Sequence, residues 1–225
     1  MTKHIKYILV ISFAWAACSG HTADKALTDK VSHDSSFVTA SPLVDELAKF
    51  IPTGFELIDE YIEDLNLDSI PDKLILLGLD SASQAKMFPD RAYNEGPADT
   101  YIGPRPLIIL IRQADNSLKQ VARNDHAVIE ESATNTGGDA FQGISVNNGE
   151  FTIEYFFHGG GGHSTWLVTF KYSPLRKDWL LDNETMVSTS DTPNDEGDYD
   201  DTEKEIKTSK DFGQIYFKNY KGNTY

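Results

Sequence analysis

Cysteine is almost missing from this chain: among 225 residues there is one, Cys18. A single thiol cannot close an internal disulfide, so the fold must be held by its core, by a metal, or by both. Basic residues are scarce as well, 20 against 35 acidic ones, which leaves a net charge of −15 at pH 7. That balance excludes a nucleic-acid binder, which needs cations to displace counterions from phosphates, and it excludes direct adsorption to anionic lipid. After residue 17 no apolar run approaches the roughly 20 residues that a membrane helix requires. No Gly-x-Ser-x-Gly stretch occurs, so the nucleophile elbow of an α/β-hydrolase is lacking too.

The first apolar run is present but short. Lys3 and Lys6 form a positive region, and Tyr7 to Ala17 (YILVISFAWAA) is apolar and of signal-peptide length. Small residues follow, and Cys18 stands where the run ends. The segment resembles a bacterial lipoprotein signal, in which the cysteine is lipidated and becomes the mature N-terminus. It departs from that pattern at Trp15, where an aliphatic residue is usual. The other reading is ordinary cleavage after Ala14-Trp15-Ala16. The resemblance implies lipidation of Cys18, with Ser19 behind it in the manner of an outer-membrane sorting signal, facing the periplasm or the surface. Ordinary cleavage implies a soluble periplasmic or secreted protein. Removing Lys3 and Lys6 from the 20 basic residues leaves 18 against 35 acidic ones, a net charge of −17.

Beyond residues 1–17 the chain falls into four zones. Residues 18–40 are polar and aperiodic, the composition of a flexible tether. Residues 41–185 form a β-rich domain, opened by one short N-terminal helix. There Ser41 can cap, Pro42 suits the first helical position, and Leu43, Leu47 and Phe50 share a face. Residues 186–211 read as an exposed acidic loop, and 212–225 as a last strand (Phe212 to Phe217) and a tail. Within the domain, short apolar or alternating runs are separated by turn residues. They are 55–58, 73–77, 106–112, 118–123, 144–146, 151–155, 166–172 and 179–181. Asn147-Asn148-Gly149 between two of them is the strongest hairpin signal in the chain. The expected fold is mainly β, an antiparallel sheet or a sandwich of hairpins, with α+β as the alternative. Residues 80–104 make a loop long enough to be functional.

The chemistry-bearing stretch is Asp64-Leu65-Asn66-Leu67-Asp68-Ser69-Ile70-Pro71-Asp72. Oxygen-bearing side chains at positions 1, 3, 5 and 9, with the Ile70 carbonyl at 7, can wrap a hard cation. Asp and Asn at alternate positions also make side-chain-to-backbone turns with no metal. The loop, followed by the strand Lys73 to Leu77, resembles the calcium loop of FG-GAP repeats, the blade unit of integrin-type propellers. That resemblance implies that Asp64, Asn66, Asp68 and Asp72 give side-chain oxygens to calcium and Ile70 its carbonyl. Ser69 stands where the family has glycine, which strains the turn by about 1 kcal/mol. One copy is present, whereas a propeller needs several. The wider layout also resembles uncharacterised exported bacterial proteins, through Arg105-Pro106, Ala122-Arg123-Asn124-Asp125 and the glycine run before Trp166. That second resemblance implies no activity.

A second candidate is His158-Gly159-Gly160-Gly161-Gly162-His163. Two histidines bracketing glycines can hold zinc if a third ligand joins them, with His126, Asp125 and Asp139 as candidates. The plainer reading is a hairpin tip. A third group is aromatic: Tyr155, Phe156, Phe157, Trp166, Phe170, Tyr172 and Trp179, read as core more readily than as an open stacking face. The leading functional expectation is a non-catalytic, calcium-stabilised binding module with a protein or glycan partner. The alternatives are a metal-dependent hydrolase built on His158 and His163, or an inhibitor or partner of another exported protein acting through residues 80–104.

Overall fold

The computed structural model describes residues 46–89, 103–129, 139–190 and 202–222. The signal segment, Cys18, the tether and the first half of the expected helix lie outside them. Residues 46–48 are helical, and the Phe50 N–H closes on the Leu47 carbonyl at 2.8 Å. No helix among the described residues is long and apolar enough to cross a membrane.

Among the described residues nine strands follow, in two sheets. β1 (Phe55–Glu63), β2 (Asp72–Leu79), β3 (Arg105–Arg112) and β4 (Leu118–Val128) form the first, in chain order and antiparallel throughout. β5 (Phe141–Asn147), β6 (Glu150–Gly159), β7 (Gly162–Ser173), β8 (Asp178–Ser190) and β9 (Thr202–Thr208) form the second, again in chain order and antiparallel. The fold is mainly β, as the alternating runs imply.

The sheets share one core. Leu74, Leu76, Leu107 and Ile109 from the first meet Phe151, Ile153, Tyr155, Trp166, Val168 and Phe170 from the second. Because successive strand residues point to opposite faces, the intervening Ile75, Leu77, Ile108 and Leu110 point away from that core. They form a smaller cluster with Leu47, against which Phe50 and Ile51 pack. The residues around the helical turn therefore cover the outer face of β2 and β3, which is why the two strands are buried at nearly every position, and their middles (Leu74–Leu77 and Leu107–Ile111) are continuously apolar rather than alternating.

A charged group seals the edge of that cover. Lys73, 2 % exposed, pairs with Glu60 and with Glu46 at 3.2 Å, and Arg112 holds Glu46 at 2.7 Å. Hydrogen bonding from Arg112, then the Lys73 ammonium, outweighs burial and holds the Glu46 carboxyl below its usual range. A depressed carboxyl stabilises the fold above its unfolded value, and this contribution is lost as pH falls through the depressed one.

The aromatic residues divide as their alternation dictates. Tyr155, Trp166, Phe170 and Trp179 are buried, Phe157 and Tyr172 are half-buried, and Phe156 faces solvent. Two expectations need correction. Residues 186–211, expected as an exposed acidic loop, contain the end of β8 and all of β9. Phe212 to Phe217, expected as a strand, instead holds the end of a short helix, α2 (Ser209–Phe212), then an isolated bridge from Tyr216 to Leu180. A 3-10 turn (Phe217–Asn219) follows. The Thr208–Asp211 capping box starts α2 and Gly213, with φ 76°, ends it, and beyond it Phe217 lies in the core with Phe212 and Ile215 packed against it. Within 80–104, Asp80 caps the helix α1 (Ser81–Met87) by accepting from the Ser83 N–H at 2.7 Å.

Candidate functional site

The connection from β1 to β2 is the Asp64–Asp72 loop, and its polar side chains fold it. Asp64 accepts from the N–H groups of Asp68 (3.0 Å) and Ser69 (2.7 Å), one per carboxylate oxygen. Asn66 Oδ1 also accepts from the Asp68 N–H, and Asp68 Oδ1 from the Ile70 N–H at 2.9 Å. Asn66 donates through Nδ2 to Asp68 Oδ2 at 2.9 Å. These are the side-chain-to-backbone turns that Asp and Asn make at alternate positions. They force Leu67 and Ser69 into the left-handed region, at φ 64° and 70°.

The loop is anchored at both ends. Asp72 is buried and accepts from the Leu65 N–H (3.0 Å) and the Arg112 N–H (2.8 Å). Burial is the main cause that raises its carboxyl above the usual range, with Asp68 and Asp64 adding repulsion against the two N–H groups. A raised carboxyl gives its stabilisation fully below the unfolded value, and that is lost as pH climbs through the raised one. On the other side the Asp64 carbonyl accepts from the Gly149 N–H at 2.7 Å, and the Gly149 carbonyl from the Tyr172 N–H at 2.7 Å. Gly149 is required there: its φ is 81°, and a Cβ would lie 2.8 Å from Leu67 Cδ2. The loop thus rests on the β5–β6 turn and joins the two sheets, with Leu65 fully buried in the shared core.

Tyr172 is the residue that sequence reasoning did not connect with this loop. Burial, then the carboxylates of Asp68, Asp178 and Asp72, raise its phenol above the ordinary range. No local signal marks a partner a hundred positions away.

The donors suit a hard cation, since all five are oxygens and a carboxylate keeps lone pairs beyond those given to N–H groups. Among the described residues no group of three or more His, Cys, Asp or Glu side chains is arranged to hold a metal. The left-handed Ser69 carries a cost that glycine would not. Ser69→Gly is expected to stabilise the protein by roughly 0.5–1 kcal/mol, strain relief outweighing the added chain entropy. A urea midpoint that falls in the variant would show that Ser69 is not strained.

His158 and His163 are brought together, directly opposite each other at the end of the β6–β7 hairpin. His158 is exposed, and His163 lies against the Phe156 ring, centroids 5.6 Å apart. The proposed third ligands are elsewhere: Asp125 pairs with Arg123, His126 is exposed on β4, and Asp139 pairs with Arg105. No family model, curated protein or solved structure matches the chain.

Proposed function

We propose that this chain is an exported, lipid-anchored envelope protein whose β-domain binds a protein or glycan partner without catalysing a reaction, and that calcium stiffens its Asp64–Asp72 loop. One observation carries the reading: the loop is the joint between the sheets, tied to the second by Asp64 and Gly149 and to the first by Asp72, Leu65 and Arg112. A cation held by Asp64, Asn66, Asp68, Asp72 and the Ile70 carbonyl would neutralise three carboxylates crowded into nine residues. It would also favour ionised Asp72, opposing the cost of its burial. Ordering this joint sets how the two sheets present their outer surfaces.

The outer face of the second sheet offers such a surface. It exposes Phe156 (40 %) and Ile206 (52 %) beside a ladder in which Thr152 and Thr169 hydroxyls lie 2.9 Å apart. Flat aromatic and hydroxyl surface of this kind suits sugars and peptides.

Thermal unfolding of the full chain with calcium, with chelator and in Asp68→Ala tests the reading. Calcium is expected to raise the melting temperature of the wild type and leave Asp68→Ala unmoved. Equal melting with calcium and with chelator in the wild type removes calcium from the proposal and reduces the loop to a hydrogen-bonded turn.

A further inference from the structure

The end of the β6–β7 hairpin carries a different kind of donor. His158 and His163 are a directly opposed cross-strand pair. Such residues project from the same face of an antiparallel sheet, with Cβ atoms about 4.5–5.5 Å apart. Two imidazole nitrogens that share a metal at about 2.0–2.1 Å each must come within roughly 4 Å of one another. Side-chain rotation closes that gap without moving the backbone.

The surroundings suit the same use. Phe156, two residues back on β6, lays its ring on His163 at an interplanar angle of 34° and restricts the imidazole's rotation. The connecting Gly159–Gly162 turn has no side chains, and a Cβ built at Gly159 or Gly160 would meet no atom within 4 Å. Among the described residues nothing fills the space beside Gly159 and Gly160, which leaves room there for water to complete the coordination, whereas Gly162 packs against β8, where a Cβ would lie 2.5 Å from the Thr189 carbonyl oxygen. Thr189 lies across from His163 on β8 and Thr202 across from Thr189, their hydroxyls 3.2 Å apart, which extends that face with groups able to bond metal-bound water. One ring nitrogen of each histidine suffices for the metal, and the other is left for a hydrogen bond, as is usual for ligating histidines.

We propose that His158 and His163 form a two-histidine site for a divalent transition-metal ion, with water in the remaining positions. Imidazole is a poor ligand for calcium and a good one for copper, nickel and zinc. With two protein ligands the site differs from the closed four-ligand sites of structural zinc, and the metal in it exchanges. The affinity order of divalent ions places Cu(II) first. The chain's net charge of −15 raises the local cation concentration. The site shares no donor with the Asp64–Asp72 loop, so either can fail without the other.

The test is titration of the full-length chain with copper(II) sulfate in excess calcium, followed by calorimetry and electron paramagnetic resonance. Wild type is expected to bind one Cu(II) with hyperfine coupling from two imidazole nitrogens. His158→Ala and His163→Ala are each expected to weaken binding by roughly tenfold or more, tenfold being the lower end of what losing even a supporting group of a metal site costs. His126→Ala is expected to bind as the wild type does. His163→Asn, checked for an unchanged melting temperature, separates loss of a ligand from loss of the hairpin. No Cu(II) binding, equal affinity in wild type and the His158 and His163 variants, or a site lost with His126→Ala would each overturn the proposal.

Discussion

Asp139→Ala is expected to cost about 3 kcal/mol of folding stability, the lower end of what breaking one partner of a buried ion pair costs. Arg105 opens β3 and is 1 % exposed, yet it carries a full charge. Both carboxylate oxygens of Asp139 receive its guanidinium, Nη1 to Oδ1 at 2.9 Å and Nη2 to Oδ2 closer still. The Phe141 ring lies 5.5 Å from the guanidinium carbon. Removing the carboxylate leaves that charge buried and forfeits the bond from the Phe141 N–H to Asp139 Oδ1. Asp139 is itself 28 % exposed, which lets water reach the site and keeps the loss from being larger. The pair ties β3 of one sheet to the start of β5 in the other, so the damage falls on sheet docking. Arg105→Met combined with Asp139→Ala is expected to recover much of the loss, because no charge is then left in the core. Urea unfolding distinguishes the cases by midpoint at constant slope. A single variant within ~0.5 kcal/mol of wild type would mean the pair is replaced by solvent at no cost.

Phe217→Ala is expected to be at least as damaging, about 3–5 kcal/mol, the range for deleting a buried ring. Phe217 is fully buried in the centre of the core, edge-on to Phe151 at 5.4 Å and to Phe170 at 5.3 Å. The cavity cannot collapse, because the Asn124 amide grips the backbone on both sides, donating to the Phe217 carbonyl and to that of Tyr220 at 2.8 Å. In a domain of this size such a loss lowers the melting temperature by roughly 10 °C. A shift of a degree or two would show that the C-terminal segment lies on the core rather than in it.

Phe217 also shows where sequence reading stopped. The alternation in Phe212 to Phe217 has the period of a strand, but Gly213 at φ 76° and the Thr208–Asp211 capping box break the ladder. Hairpins marked by local turn chemistry were legible: Asn148-Gly149 gives two positive φ angles in succession, as a two-residue turn needs. β9 was not, because Thr-Glu-Lys-Glu-Ile-Lys-Thr is an edge strand exposed on its outer side, and its charges read as a solvated loop. The end of β8 was hidden by Glu184, a buried carboxylate that no pattern would place inside. Its partner, the Tyr220 hydroxyl at 2.6 Å, lies 36 residues on. The loop donors were legible as a spacing, whereas their attachment to Gly149 and Arg112 depends on strands far apart in the chain.

In both sheets the spatial order of strands is their order along the chain. Apart from the longer links 80–104 between β2 and β3 and 191–201 between β8 and β9, each strand finds its neighbour within its sheet through a short connection, and each sheet can grow by adding one hairpin at a time, with little closure entropy spent at most steps. Such a topology lowers the mean sequence separation of contacts, the quantity that slows β-proteins. The non-local contacts are the docking of the two sheets, which Arg105 and Asp139 join across 34 positions, and the seating of Phe217 in their shared core. Variants at those residues are expected to speed unfolding more than they slow folding, as loss of contacts outside the rate-limiting nucleus does, and a folding rate that falls in step with stability would place those contacts inside it.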